Sequence, residues 1–411
     1  MKCRVIAVLG TRPEAIKLAL VIQELRKRSD EFEIAVVHTG QHRTMLDHAL
    51  ALFKIKPDFD LDVMRPNQTL SSLTGRVLDT VENACRRFEP HMVLVQGDTT
   101  TAFASALAAF YCKIPVGHIE AGLRSHDIYN PFPEEVNRRL VGVMTQIHFA
   151  PTGLSRDNLL AEGVAAEKIV VTGNTVVDTL RLLSKLPQSW ENTPLDGIPR
   201  ENCRLVLVTS HRRESWGSDQ ENMCLALKDL VQKHKDIHVI YPVHLNPNVR
   251  STVGALLQGN DRIHLTEPLD YITFVSLLQK CFLVLTDSGG IQEEAPTFGK
   301  PVLVLRKVTE RPEASQFGMA KIIGMSRESI VREADQLLLD NDAYLDMSEG
   351  QNPYGDGHGS ERIVEAISRW HQKKTPLLEA DKEFKIPPRT LPRRRKTDLV
   401  EAAKATTAGR S

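Results

Sequence analysis

The feature that most constrains the fold is a repeated alternation between short apolar segments and longer amphipathic segments. The short segments predict buried β-strands, and the longer segments predict helices. Strands that alternate with helices are typical of parallel sheets, because each helix carries the chain back across the sheet. Since the alternation occurs twice, on either side of a polar segment, the sequence predicts an α/β protein with two doubly wound domains.

The polar segment spans 187–202, contains three prolines and predicts a linker. Before it, strands are predicted at 4–9, 32–38, 91–96, 115–119 and 147–150, with helices at roughly 14–28, 43–53, 71–88, 100–111, 134–146, 152–162 and 175–186. After it, strands are predicted at 204–209, 237–241, 262–265, 282–286 and 301–305, with helices between them and at 327–338 and 358–371. Parallel sheets bind ligands at the carboxyl ends of their strands, so two such domains predict a site in the cleft between them.

The composition is that of a soluble globular protein, with 41% apolar and 25% charged residues. The 52 basic residues balance the 52 acidic residues, so the net charge gives no indication of nucleic acid or an anionic membrane as partner. The most apolar stretch, from Ala102 to Cys112, is too short to cross a membrane. Six scattered cysteines without CxxC pairs favour reduced thiols in a cytoplasmic protein.

The end of the chain differs in character from the rest. Residues 376–411 are rich in proline, alanine and basic side chains, with nine Lys and Arg against five acidic residues. Such a composition buries little apolar surface and predicts a disordered basic tail.

The segment DSGGIQEEAP predicts a sharp turn between a buried strand and a short helix. Ser288 is a natural N-cap, and Gly289 and Gly290 give a ligand access to the free amides at the helix start. Such a helix start favours anions, and a carboxylate of Glu293 or Glu294 is placed to accept the hydroxyls of a ribose. The segment therefore indicates a nucleotide-linked ligand, although an ordinary capped strand–turn–helix unit has the same pattern.

Three carboxylates are predicted at the same rim of the first sheet. Asp98 and Glu120 each follow a predicted strand, and Glu134 begins a predicted helix. Carboxylates that crowd together raise the pKa of at least one of them, which provides acid and base forms near neutral pH. Asp98 and Glu134 also have a structural explanation, since Asp caps helices and Glu is favourable in the first turn of a helix.

Basic side chains are predicted around the same cleft. Arg12 and Lys17 lie at the start of the first helix, His211 follows the first strand of the second block, and Arg311 follows its last strand. They are suited to face a diphosphate, although solvated charges at helix starts are common. No spacing of His, Asp and Glu suggests a metal site, and GxGxxG is absent, so neither a metal nor a dinucleotide cofactor is inferred.

The motifs together resemble those of the non-hydrolysing UDP-N-acetylglucosamine 2-epimerases. They match in order from about residue 3 to 371 and are GTRPEAIK, TGQH, GDTTT, GHIEAGLRS, PEEVNR, TGNTVVD, SHRRE, PVHLNP, DSGGIQEEAP, TERPE and NPYGDG. The resemblance implies two Rossmann-like domains in the glycosyltransferase-B architecture. It divides the chain into an N-terminal domain at 1–173 plus 358–375 and a UDP-binding domain at 174–357, followed by the tail.

The resemblance also implies an activity. The family converts UDP-N-acetylglucosamine reversibly to UDP-N-acetylmannosamine, by elimination and re-addition of UDP through 2-acetamidoglucal. It needs no cofactor, supplies a precursor of cell-surface polysaccharide, and is expected to form a cytoplasmic homodimer. The motifs leave open which carboxylate removes the proton.

Roles for individual residues follow from the resemblance by motif. The implied catalytic residues are Asp98, Glu120, Glu134 and His211. The implied substrate-binding residues are Arg12, Lys17, Ser288, Gly289, Gly290, Glu294 and Arg311. An activator site for a second UDP-N-acetylglucosamine is implied at Gln41, Gln68, Glu135, Arg212 and His244, although Thr44 and Asn67 replace a Gln and an Arg found there in some members.

Two other functions are compatible with the nucleotide motifs. A glycosyltransferase of the same architecture has these motifs but does not require Asp98, Glu120 and Glu134 together. A UDP-sugar sensor without activity has no use for the three carboxylates. The carboxylates therefore favour the epimerase.

Overall fold

The computed structural model describes residues 1–40, 43–65, 68–210 and 217–386 and contains two parallel β-sheets. The first half has seven strands: β1 (Cys3–Leu9), β2 (Phe32–His38), β3 (Phe59–Asp60), β4 (Met92–Gln96), β5 (Val116–Ile119), β6 (Thr145–Ala150) and β7 (Ile169–Val171). Its helices are α1 (Arg12–Lys27), α2 (Arg43–Leu52), α3 (Leu70–Phe88), α4 (Thr100–Tyr111), α5 (Glu134–Met144), α6 (Gly153–Ala161) and α7 (Thr175–Leu183).

The second half repeats the arrangement with six strands. These are β8 (Arg204–Thr209), β9 (Ile237–Pro242), β10 (Ile263–Thr266), β11 (Leu283–Thr286), β12 (Val302–Val304) and β13 (Ala320–Ile322). Its helices are α8 (Ser218–Lys233), α9 (Pro247–Leu257), α10 (Tyr271–Lys280), α11 (Gly289–Glu294), α12 (Glu313–Gln316), α13 (Arg327–Leu339), α14 (Asn341–Ser348) and α15 (Gly359–His371).

The strand orders are those of doubly wound sheets. The first sheet has the order β3-β2-β1-β4-β5-β6-β7, and the second has the order β10-β9-β8-β11-β12-β13. In both sheets the order reverses beside the first strand of the half, β1 or β8, which is where such sheets bind ligands. The predicted fold class, two doubly wound α/β units, is confirmed.

Helices cover both faces of the first sheet. Val5, Ala7 and Leu9 of β1 pack in one buried cluster with residues of α1. The alternate residues Ile6 and Val8 pack on the other face with residues of α3 and α4. A parallel strand buried on both faces is apolar throughout, which explains why these strands were predicted to within two residues.

Three short strands were not predicted. β3 has two residues, and β7 and β13 have three each. Segments this short contain no alternation that distinguishes a strand from a loop. All three lie at the edges of their sheets, where fewer apolar residues are required.

Two helices connect the second half to the first. α15 packs against α1 and α7, so the last helix returns to the first sheet. Asp178 on α7 accepts hydrogen bonds from the backbone N–H groups of Gly359 (3.1 Å) and Ser360 (2.7 Å) and thereby caps α15. Because α7 contacts α1 as well as α11 of the second half, the exact domain boundaries stay a prediction.

The predicted linker at 187–202 contains no helix or strand, but it is packed against the protein. Trp190 and Leu195 are buried. The indole N–H of Trp190 donates a hydrogen bond to the Ser276 hydroxyl of α10 (2.8 Å). This connection is therefore held on the surface of the second half.

The prediction of disorder from residue 376 onward is wrong for residues 376–386. Leu378 and Phe384 are buried, and the Phe384 N–H donates a hydrogen bond to the Val171 carbonyl at the end of β7 (2.8 Å). This segment covers the edge strand of the first sheet, which explains its order despite its polar composition. Residues 387–411 lie outside the described residues.

Within the described residues, none of the helices combines the length and apolar character that a membrane crossing requires.

Two buried histidines predict a loss of stability in acid. His118 of β5 and His148 of β6 are paired neighbours in the first sheet, and burial lowers their pKa values to about 4 and about 3. In the unfolded chain each binds a proton near pH 6.5, so unfolding takes up protons as the pH falls below that value. The free energy of unfolding should therefore decrease between pH 6.5 and 4, by up to about 1.4 kcal/mol per pH unit for each histidine.

Urea unfolding of the wild type and of His148→Asn at several pH values in this window tests the prediction. The variant should show a shallower dependence on pH, because one of the two groups no longer titrates. An identical slope in both proteins would contradict it.

Candidate active site

The loop between β1 and α1 is fixed by the buried carboxylate of Glu14. It accepts hydrogen bonds from the N–H groups of Gly10 (2.8 Å) and Thr11 (2.6 Å) and from the Thr99 hydroxyl at the start of α4 (2.6 Å). One carboxylate thus joins the loop before Arg12 to the loop that carries Asp98. α1 begins at Arg12, two residues before the predicted start at about residue 14.

Glu120 follows β5 in an unusual backbone conformation. Its φ angle is +67°, in the left-handed region that residues with a Cβ rarely adopt. Gly122 nearby has φ +90°, and a Cβ there would lie 2.1 Å from the Ser155 carbonyl oxygen. Strain of this kind costs on the order of 1–3 kcal/mol and clusters at functional sites. The orientation of the Glu120 side chain is therefore fixed by a strained backbone, at an energetic cost.

Four buried charged side chains meet where the two halves face each other. Lys17 and Glu120 come from the first half, and Glu293 and Arg311 come from the second; we call these four residues the cleft ion cluster. None of them exposes more than 8% of its surface. The sequence prediction that Lys17, Glu120 and Arg311 line one site is consistent with this geometry.

The cluster alternates positive and negative groups. Lys17 Nζ contacts the Glu120 carboxylate and lies 3.2 Å from Glu293 Oε2. Arg311 Nε donates a hydrogen bond to Glu293 Oε1 (2.6 Å), and its Nη2 lies 3.5 Å from Glu120 Oε1. Each carboxylate therefore touches both cations, which is the arrangement that makes a buried charge tolerable.

The two carboxylates of the cluster differ in their acidity. Burial raises the pKa of Glu120, and the nearby Lys17 charge opposes this effect only in part. Burial acts on Glu293 in the same sense, but Arg311 and Lys17 outweigh it and hold its pKa below the usual range. Environments that separate two carboxyl pKa values assign them different roles. Glu120 is suited to gain and lose a proton, whereas Glu293 remains an anion.

The cations of the cluster stay charged despite burial. Burial alone would lower the pKa of Lys17, but the carboxylates of Glu120 and Glu293 raise it above the usual value.

Gln96 at the end of β4 donates a hydrogen bond to Glu120 Oε2 (2.6 Å). Asn174 donates one to Glu293 Oε2 (3.0 Å). Neutral amides therefore complete the hydrogen bonding of both carboxylates.

The NPYGDG segment, residues 352–357, holds the backbone of cluster residues in place. Asn352 Nδ2 donates a hydrogen bond to the backbone carbonyl of Glu293 (3.0 Å), and the Tyr354 hydroxyl donates one to the carbonyl of Arg311 (3.0 Å). The Tyr354 carbonyl accepts from the N–H of Asn174 (2.6 Å). One loop thus holds the backbone of two cluster residues, Glu293 and Arg311, and of their neighbour Asn174.

Asp98 lies at the end of β4, beside β5, and is bound to α5. Its Oδ2 accepts from Arg138 Nε (3.1 Å), and its backbone carbonyl accepts from Asn137 Nδ2 (2.9 Å). Glu134 is the first residue of α5, as predicted. Asp98 and Glu120 therefore occupy the carboxyl ends of neighbouring strands, with the start of α5 fixed next to Asp98.

The turn after β11 forms largely as predicted. α11 begins at Gly289 with Ser288 in the N-cap position, but the Ser288 side chain does not hydrogen-bond the helix. Its N–H instead donates to Thr286 Oγ1 (2.9 Å). A Cβ at Gly289 would lie 2.5 Å from Arg311 Nη1, so glycine at this position allows the guanidinium to approach the turn.

Glu294 has different hydrogen-bonding neighbours from Glu293. Burial raises its pKa to about 7, and its neighbours include the Tyr271 side chain of α10 and the charge of Arg12. Its Oε2 atom is buried and makes no hydrogen bond of regular geometry with the described residues, although the Tyr271 hydroxyl lies close enough to act on the Glu294 pKa. Glu294 therefore has an acceptor available for a ligand, which Glu293 lacks.

The residues predicted for the activator site fall in three places. Glu135 is fully buried, and its oxygens accept from Arg138 (2.9 Å) and from the N–H of Ser125 (3.0 Å), so contact with a ligand would require it to move. Gln68 contacts Arg76, and the exposed His244 accepts from the N–H of Asn246 (3.2 Å). Gln41 and Arg212 of this predicted site lie outside the described residues, as do Asn67, the side chain of Thr44 and the catalytic candidate His211.

A group of possible metal ligands lies near the amino ends of the central strands β1 and β4 of the first sheet. Ligand atoms of Cys3, His91 and His371 are within 4.8 Å of one another. However, burial raises the pKa of Cys3 to about 12, and His91 Nδ1 accepts a hydrogen bond from the Arg4 N–H (2.9 Å). The protonated thiol and the occupied ring nitrogen give no support for a metal site at these three residues.

Comparison with known proteins identifies the family. A model of the family described as UDP-N-acetylglucosamine 2-epimerase matches residues 23–368. The chain is 50% identical over 372 residues to a probable UDP-N-acetylglucosamine 2-epimerase of Ralstonia nicotianae, which covers 89% of this chain and 99% of the relative. It is 48% identical over 375 residues to the UDP-N-acetylglucosamine 2-epimerase of Escherichia coli, covering 89% and 98%. The chain belongs to the UDP-N-acetylglucosamine 2-epimerase family.

A solved structure of this family has the same architecture. The crystal structure of UDP-GlcNAc 2-epimerase from Neisseria meningitidis bound to UDP-GlcNAc aligns with a TM-score of 0.83 and 46% sequence identity, covering 89% of this chain and 99% of that one. The family resemblance and the fold predicted from the motifs are both confirmed.

Sequence reasoning missed several side chains of this epimerase-family site. Gln96, Arg138 and Asn174 lie within or beside motifs that were recognised, but an amide or arginine at a strand end has no distinctive spacing. Glu293 and Glu294 were both noticed, and nothing in their order indicates which one pairs with Lys17 and Arg311.

The contact between Gly289 and Arg311 predicts a difference between neighbouring glycines. Gly289→Ala should destabilise the fold by about 1–3 kcal/mol, because the new methyl group displaces a guanidinium that Glu293 holds. Gly290→Ala is the matched control, since a Cβ there meets its nearest neighbours only at 3.8 Å and 3.9 Å. It should change stability by less than about 0.5 kcal/mol. Urea unfolding measures both, and equal effects would contradict the packing described.

Proposed function

We propose that the protein interconverts UDP-N-acetylglucosamine and UDP-N-acetylmannosamine. The observation that carries the proposal is Glu120, a strained and buried carboxylate between Lys17 and Arg311 from opposite sides of the cleft. A group that exchanges one proton at carbon 2 of the sugar is required for this reaction. Membership of the family supports the same substrate, as does the Neisseria meningitidis structure, which is bound to UDP-GlcNAc.

The proposed reaction is an elimination followed by an addition. A base removes the proton from sugar carbon 2, the bond from carbon 1 to the phosphate oxygen breaks, and UDP leaves with the electron pair. The 2-acetamidoglucal remains in the closed cleft until UDP adds back to carbon 1 and carbon 2 is protonated on the opposite face. Each positioned acid or base contributes about 10²–10⁴-fold to such a rate.

The residues divide between proton transfer and binding. We assign proton transfer at carbon 2 to Glu120, because its pKa is raised and its side chain is held rigidly. Protonation on the opposite face requires a second acid, for which Asp98 and Glu134 are the candidates, and His211 is the candidate cation or proton carrier. Lys17, Arg12 and Arg311 are assigned to the diphosphate, whose negative charge increases as the bond to the sugar breaks.

The UDP end of the ligand is assigned to the second half. Ser288, Gly289 and Gly290 form a turn at the start of α11, where backbone N–H groups favour phosphate. Glu294 is assigned to the ribose hydroxyls, because its buried Oε2 makes no hydrogen bond of regular geometry with the described residues. Gln68, Glu135 and His244, together with Gln41 and Arg212, remain the proposed activator site.

A cytoplasmic location is part of the proposal. All six cysteines are free thiols, and several are buried in the core. Unpaired cysteines in this number are typical of a reducing compartment. The product is then available to enzymes that build cell-surface polysaccharide.

Incubation with UDP-N-acetylglucosamine in deuterated water tests the proposed reaction. The wild type should produce the manno isomer with deuterium at carbon 2, because the proton returned comes from solvent. Asp98→Asn, Glu120→Gln and Glu134→Gln should slow this incorporation strongly while UDP affinity changes little. NMR of carbon 2 and calorimetry with UDP measure the two quantities.

Two outcomes would contradict the proposal. Sugar transfer that occurs only when an acceptor is added, without deuterium at carbon 2, would indicate the glycosyltransferase. Near-normal incorporation in all three variants would remove the assignment of the carboxylates while leaving the substrate intact.

We also propose that the protein forms a homodimer through the outer face of α5. Val136, Leu140 and Val143 share this face and are exposed, Val143 by 85%. Phe110 and Tyr111 at the end of α4, which packs against α5, are exposed as well. A contiguous apolar surface of this kind favours association with a second copy.

Leu140→Glu together with Val143→Glu should convert the dimer to a monomer, because two buried charges per chain oppose association. Leu339→Glu, at an exposed leucine of α13, is the control and should leave the dimer intact. Light scattering after gel filtration distinguishes one chain of 46.0 kDa from two. A monomeric wild type, or a variant that remains dimeric, would refute the proposed surface.

A further inference from the structure

Glu293 is the most completely enclosed charge in the cleft ion cluster. It exposes none of its surface, and both of its oxygens are in contact with cations. Arg311 occupies Oε1, and Lys17 and Asn174 occupy Oε2. A substrate therefore has no free surface of Glu293 to contact, in contrast to Glu294.

The position of Glu293 is fixed by its backbone as well as by its side chain. Its carbonyl accepts from Asn352 Nδ2 (3.0 Å), so the NPYGDG loop holds this turn of α11. A rigid anion at this point determines where the flexible side chains of Lys17 and Arg311 place their charges. Long cationic side chains lose several rotatable bonds of freedom when they are held in this way.

Charge balance gives Glu293 a second effect. Among the residues that the structure describes, the groups that face Glu120 are Lys17 from α1, Gln96 from β4, Arg311 from the segment after β12 and Glu293 from α11. Glu310 contacts Arg311 as well. Without Glu293, two cations would act on Glu120 and strongly favour its ionised form. With Glu293, one of the two positive charges is compensated, and Glu120 remains able to take up a proton.

We propose that Glu293 is a positioning residue, which holds Lys17 and Arg311 in the orientation where both cations face Glu120 and limits their combined effect on it. Glu120 and Lys17 belong to the first half, and Glu293 and Arg311 belong to the second. The complete cluster therefore exists only when the two halves are together, so Glu293 links closure of the cleft to the acidity of Glu120. This inference rests on the proposed epimerase function.

Glu293→Gln, Glu293→Asp and a matched control test the proposal. The control is Glu333→Gln, because Glu333 on α13 also contacts two cations, Lys321 and Arg332, but lies outside the cleft. Turnover from isomer formation, UDP affinity from calorimetry, and the pH profile of kcat/KM are measured for each protein. Thermal unfolding establishes the folded fraction.

Glu293→Gln should lower kcat on the order of 10²-fold, because cations released from their anchor misplace the reacting groups. UDP affinity should be unchanged or tighter, since Lys17 and Arg311 lose a competing anion. The limb of the pH profile that reports on Glu120 should move down by about one pH unit, because a like charge has been removed beside it. Glu293→Asp keeps the charge and should restore the position of that limb and part of the rate.

Several results would overturn the inference. These are wild-type turnover and profile in Glu293→Gln, a loss of turnover that only follows the folded fraction, and a loss of UDP binding in parallel with turnover. An equal loss in Glu333→Gln would also overturn it, since a general effect of removing ion-paired carboxylates would then suffice. If the wild type forms no isomer, the proposed function itself fails; if the wild type is active and Glu293→Gln matches it, only the positioning role fails.

Discussion

Burying charge is tolerable only when opposite charges are held against it, and the cleft of this protein depends on that constraint. Lys17, Glu120, Glu293 and Arg311 are each enclosed, and each is stabilised by partners from the other half of the chain. Removing one partner leaves an uncompensated charge, which is costly in a dry interior. The two halves are therefore joined at the site proposed for the chemistry, and the association of the halves and the acidity of Glu120 depend on the same electrostatic arrangement.

The fold brings these charges together because parallel strands present their carboxyl ends at one edge. Lys17 lies on the helix after β1, Glu120 follows β5, Glu293 lies on the helix after β11, and Arg311 follows β12. The backbone contributes directly at two positions: Glu120 is held at φ +67°, and glycine at 289 leaves space for the Arg311 guanidinium. The strands and helices thus determine where the four charged residues lie. The irregular backbone at Glu120 and Gly289 then determines how the Glu120 and Arg311 side chains are oriented.

The fold class was predictable from sequence because buried parallel strands are apolar on both faces, and the family was predictable because its motifs occur in order along nearly the whole chain. The features that could not be predicted from the sequence were missed for physical reasons. β3 and β13 are too short for a pattern, and residues 376–386 cover a sheet edge with only a few apolar residues such as Leu378 and Phe384. Glu293 and Glu294 are adjacent and identical in type, so only their surroundings in the folded chain show that one is a buried ion-pair partner and the other has a free acceptor.

The central claim is that Glu120 exchanges the proton at carbon 2 of a UDP-linked amino sugar inside this ion cluster. The structure of the protein in complex with UDP-N-acetylglucosamine tests it most directly. The account predicts a Glu120 carboxylate oxygen at roughly 3–3.5 Å from carbon 2, with Lys17 and Arg311 on the side of the diphosphate. A complex in which Glu120 points away from the sugar ring, with another side chain at carbon 2, would contradict it.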